Sequence, residues 1–124
     1  MVAAAVDNRS YADYTFPETL DASGNTTAWV AVPNFNHHTI ALTIPTATAV
    51  KVVVEGSLDG SAFFGIDPSG NGNPDNSGNI QFTQKVTYAI PIRNTPLNYI
   101  RLKLVTYSGG STPGGITAKY RGSS

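Results

Sequence analysis

The chain has 124 residues, the size of one domain, and its eight basic and eight acidic residues cancel to a formal net charge of zero. Without a basic field there is no counterion release to drive phosphate binding, which disfavours a nucleic-acid partner. No apolar run approaches the ~18 residues of a membrane-spanning helix. The complete absence of cysteine removes disulfides, thiolate metal sites and thiol nucleophiles together.

Composition points to an all-β domain. Only two Glu and four Lys are available to solvate helix faces, whereas Val, Ile and Thr number 32, with 12 Gly and 8 Pro to make turns. In chain order, Met1–Val6 lacks the basic start and the ~7–15-residue apolar stretch of a secretory leader. Residues 1–25 are expected to form an extended N-terminal arm bearing Tyr11, Tyr14, Phe16 and Leu20 as hydrophobic anchors. The arm is expected to be ordered against a partner or against its own domain, with room for a short first strand, and a frayed terminus is the alternative.

From Thr26 the pattern is strand after strand, so residues 26–124 are expected to be the folded domain. Thr27–Val32 is β-rich and ends at a Pro-Asn turn signal, with Trp29 opposite the inward Val30 and Val32. His38–Ile44 places Ile40, Leu42 and Ile44 on one face, and Val50–Glu55 does the same for Val50, Val52 and Val54. That leaves Val53 facing outward. Gly56–Gly60 contains the Asp-Gly hairpin signal, followed by a short strand over Ala62–Asp67. Residues 68–79 are all Gly, Pro, Ser, Asn or Asp and are expected to be a solvent-facing loop at an outer tip. Strands resume at Ile80–Thr83 and Val86–Ile92, where Pro91 marks an edge or a bulge. Tyr99–Tyr107 turns Ile100, Leu102 and Leu104 inward and Val105 outward, and Ile116–Arg121 closes the chain. About eight short alternating strands fit an antiparallel β-sandwich or jelly roll.

No set of side chains assembles into a catalytic or metal centre. His37 and His38 are adjacent, so on a strand they point to opposite faces and share no ligand. Glu55 and Asp59 flank the hairpin turn; their simpler roles are an exposed strand residue and a turn former. Asn71–Asp75 alternates oxygen ligands, but the sixth and twelfth positions counted from Asn71 are Asn76 and Phe82, not the Gly and Glu of a calcium loop. This leaves a turn-rich loop, with a looser calcium site joining Asp67 and Asp75 as the alternative. Neither a nucleophile elbow nor a phosphate loop is present. The expectation is a protein with no catalytic residues, no metal and no cofactor.

Val52-Val-Val-Glu-Gly-Ser-Leu-Asp-Gly-Ser-Ala-Phe-Phe64 resembles the strand, Ser-x-Asp-Gly turn and aromatic strand of discoidin-like jelly-roll domains. Leu97-Asn-Tyr-Ile-Arg-Leu-Lys-Leu104 resembles the strand that follows in that family. The same pairing is similar to small virion proteins of tailed bacteriophages, including the capsid decoration (cement) proteins. That resemblance implies a structural protein on the outer capsid surface of a virion, with the major capsid protein and its own copies, as a homotrimer, for partners. The interface is expected to use Tyr11, Tyr14, Phe16 and Leu20 of the arm together with Trp29, Val53 and Val105. A jelly-roll carbohydrate-binding module, stacking sugars on exposed aromatics, is the alternative.

Overall fold

The computed structural model describes residues 2–3, 11–33, 35–45, 49–66, 80–82, 86–108 and 115–123. The expected loop over 68–79, and with it the oxygen-rich run 71–75, lies outside the described residues, as do 109–114 of the Gly-rich turn. Ten strands are described: β1 (Val2–Ala3), β2 (Tyr11–Thr15), β3 (Val30–Ala31), β4 (His37–Ile44), β5 (Ala49–Ser57), β6 (Phe63–Ile66), β7 (Ile80–Phe82), β8 (Val86–Ile92), β9 (Tyr99–Ser108) and β10 (Thr117–Ser123).

They form two antiparallel sheets, and the chain is an all-β sandwich. The first sheet runs β1-β2-β10-β4-β8; the second runs β3-β9-β5-β6, with β7 also paired to β5. The alternating strands supply the core between them. Ile40, Leu42 and Ile44 of β4 face Val50, Val52 and Val54 of β5 and Ile100, Leu102 and Leu104 of β9, all buried. Each such side chain contributes about 1.5–3 kcal/mol on leaving water. Pro91 lies on β8, an edge strand, where its missing N–H costs no ladder bond.

The described part of the segment expected to be an arm, residues 2–3 and 11–25, is instead part of this sandwich. β2 pairs with β10 from Tyr11↔Ser123 to Thr15↔Lys119. The alignment continues past the strand: Phe16 N–H donates to Ala118 O, and Leu20 and Ile116 exchange backbone bonds at 2.9 and 2.8 Å. Ala12, Phe16 and Leu20 are buried in the common core, and Tyr14 packs against it. Phe16 and Leu20 therefore cannot serve as anchors for another subunit; their apolar surface is used at home.

Four polar side chains are buried among the described residues, Thr27, His38, Glu55 and Ser57, and His38 is the one lodged at the end of the core. His38 is 1% exposed and stands between the sheets at the end of β4. Its Nε2 donates to the Thr95 carbonyl at 2.9 Å, so the neutral ring must accept at Nδ1, and the Tyr120 hydroxyl donates there at 2.7 Å. Burial pushes the His38 pKa below 6.5, against the pull of the Thr95 bond, and burial also pushes Tyr120 upward. Because the folded value is the lower one, His38 contributes full stability above pH 6.5 and that contribution is lost as pH falls from there through the folded value. Asp13 and Asp59 are both held below 3.8 and act only in stronger acid. The urea midpoint should thus begin to drop near pH 6.5, and the drop should vanish in His38→Gln but persist in His37→Gln. An acid limb unchanged by His38→Gln would contradict this assignment.

Candidate interaction surface

The outer face of the second sheet is built on β5, β6 and β9. Register places Glu55 directly opposite Arg101 and Ser57 opposite both Phe63 and Tyr99. Arg101 Nε donates to Glu55 Oε1 at 2.7 Å, with side-chain exposures of only 18% and 8%. The guanidinium also lies 4.3 Å from the Trp29 ring centre and 4.7 Å from that of Phe63. The two rings meet at 6.1 Å and an angle of 55°. A planar, weakly hydrated cation held between aromatic faces is the geometry in which Arg is most strongly bound.

The turn beside this cluster is rigid. Ser57 Oγ accepts the N–H groups of Asp59 and Gly60 and donates to Ala62 O at 2.6 Å. Asp59 Oδ1 accepts from Ser61 and Ala62, and these backbone bonds hold its carboxyl below the usual range. Gly60 takes a left-handed φ of 83°. Asn98 Nδ2 ties down Leu58 O at 2.8 Å from the neighbouring loop. On this fixed base Leu58 is 60% and Phe63 53% exposed, the two most exposed large apolar side chains described. Asp59 is thus a turn former, as its sequence context suggests, whereas Glu55 is not the exposed residue expected but a buried ion-pair partner.

The remaining expected interface residues are dispersed. Trp29 joins the cluster, half-buried beneath Arg101. Val53 points outward on β5 but is 5% exposed, so it cannot offer a free apolar face. Both faces of β5 are covered over that stretch, and Lys103 lies directly across from Val53, where its alkyl stem can shield it. Val105 is half-buried where a bulge shifts the β5–β9 register. Tyr11 sits on the opposite sheet with the Arg121 guanidinium 4.6 Å from its ring, and Tyr14 meets Phe16 edge-on at 5.5 Å. Sequence reasoning missed Leu58, Phe63 and Arg101. The signal for the first two was present in the Ser-x-Asp-Gly turn and the Phe-Phe pair beyond it.

No family model matches the chain, and no curated protein matches its sequence. A crystal structure of SPBc2 prophage-derived protein YomS matches it with a TM-score of 0.64 at 13% identity, over 98% of this chain and 99% of that one. The likeness is one of fold. It spans both sheets, the β2 segment included, so the whole described sandwich has a solved counterpart from a prophage.

Glu55 and Arg101 cancel within the cluster, and Asp59 adds a carboxylate in the turn beside it. Among the described residues no three His, Asp or Glu side chains gather as a metal site would require. What the face offers is apolar area, two aromatic rings and a fixed arginine, the composition of a protein-binding hot spot.

Proposed function

We propose that this protein is a non-enzymatic structural component of a phage virion that decorates the outer capsid surface and stabilises it, assembling as a homotrimer on the major capsid protein. The observation that carries this reading is the Arg101 cluster with its two exposed neighbours, Leu58 and Phe63. Its ion pair is already withdrawn from water, so little further desolvation is needed when a partner covers it. The prophage origin of a protein with the same fold supports the virion setting. A decoration protein of this kind binds the expanded lattice and not its precursor, and so stabilises the expanded state by linkage.

Sugar stacking on these aromatics fits less well. A stacking platform needs open ring faces, and Trp29 and Phe63 are tilted and each has a face turned to Arg101. Co-sedimentation with expanded heads of the phage encoding the chain tests the reading. Phe63→Asp should weaken attachment by about 2 kcal/mol or more, roughly thirtyfold, without loss of the β-sheet spectrum. Undiminished attachment by a folded Phe63→Asp protein, or isolated single copies on the particle, would refute it.

A further inference from the structure

The two outer faces of the sandwich differ in chemistry. Among the described residues, the exposed large apolar side chains, Leu58, Phe63, Phe64 and Tyr88, lie away from the groove that opens on the outer face of the first sheet. That groove encloses about 580 Å³, within the range of ligand sites. On its central strand, Lys119 stands directly between Thr15 and Ala41, and Arg121 directly between Asp13 and Thr39. Alternation puts all six on one face, with Lys119 and Arg121 about 7 Å apart along β10.

We propose that this groove binds an acidic saccharide, seating one sugar unit that bears a single carboxylate. Arg121 Nε and Nη2 donate to the two Asp13 oxygens at 2.6 and 2.8 Å, and the Tyr11 ring braces the guanidinium. This fixes a donor array and an acceptor pair side by side, with three of the five guanidinium donors and half the carboxylate lone pairs unused by the bridge. Adjacent sugar hydroxyls both donate and accept, and such a pair matches them. The Thr15 and Thr39 hydroxyls extend the same polar lining, while Ala41 keeps the floor low. Asp13 and Arg121 neutralise each other, and Lys119 has no carboxylate partner among the described residues. Among the described residues the groove therefore carries one uncompensated positive charge, which calls for one negative charge on the sugar unit seated there. The lining contains no exposed apolar anchor, so it lacks what a protein partner would need. The inference rests on the proposed function only for its orientation: with the Arg101 face against a particle, the groove faces solvent.

Backbone amide NMR of the isolated protein tests it, with tetragalacturonate, neutral maltotetraose and inorganic phosphate as probes. Tetragalacturonate should move the amides of Thr39, Lys119 and Arg121, and maltotetraose should bind about tenfold more weakly. Lys119→Ala should weaken tetragalacturonate by about tenfold while leaving thermal unfolding and particle attachment unchanged. No shifts at ~10 mM oligosaccharide, equal binding of maltotetraose, or phosphate reproducing the same shifts at the same affinity would each overturn the proposal. Particle attachment is read separately, so a silent groove on an attached protein fails this inference alone. Lost attachment of wild type would fail only the virion reading.

Discussion

Replacing Arg101 by alanine is expected to destabilise the fold by about 3 kcal/mol, at the lower end of what breaking a buried ion pair costs. The penalty arises chiefly from what is left behind. The Glu55 side chain is only 8% exposed and would be left buried with no partner. The rings of Trp29 and Phe63 would lose the guanidinium between them as well, a further loss of about 0.5–1 kcal/mol. Removing both charges should hurt less than removing one, so Glu55→Ala/Arg101→Ala should lie above the single variant. Arg101→Lys should fall between wild type and alanine, because an ammonium keeps the charge but cannot stack flat. Urea midpoints at constant slope measure all three. A single Arg101→Ala variant within ~0.5 kcal/mol of wild type would show that the cluster is surface ornament.

Gly122→Ala should cost about 2–3 kcal/mol by overpacking. A methyl group there would meet the Tyr120 hydroxyl and come within 2.8 Å of the Phe35 ring. The tyrosine cannot swing aside cheaply, since it is 2% exposed and its hydroxyl is committed to His38. Gly24→Ala is the control: with φ at 94° and nothing within 4 Å, only the backbone term remains, about 1 kcal/mol. Thermal unfolding of the two variants should separate them clearly, and Gly122→Ala should also disturb the His38 ring signals. Equal melting temperatures would mean that this end of the sandwich is loosely packed.

The central strands were legible because their two faces differ: Ile40, Leu42 and Ile44 alternate with polar or small residues, and Ile100, Leu102 and Leu104 with arginine, lysine and valine. The fold class followed from them. β2 was not legible because Tyr11 and Tyr14 fall on opposite faces, so the aromatics cancel the period that Ala12, Tyr14 and Phe16 keep. Val53 was placed on the correct face and still misjudged, because alternation reports direction and not whether the outer face is covered. The Glu55–Arg101 pair is separated by 46 positions and the His38–Tyr120 bond by 82. Both depend on strand register, which turn chemistry fixes only for neighbouring strands. Phe63 and Leu58 could have been found by asking what a tight Ser-x-Asp-Gly turn displays.

The central claim is that the two outer faces have different occupants, with the Arg101 face the one that meets the particle. Hydrogen exchange of the protein free and bound to expanded heads reads this directly. The account predicts added protection over Ser57–Ile66 and at Trp29–Ala31 on binding, with Thr117–Arg121 exchanging as in the free protein. Protection confined to β2 and β10, with the β5–β6 hairpin unchanged, would contradict it.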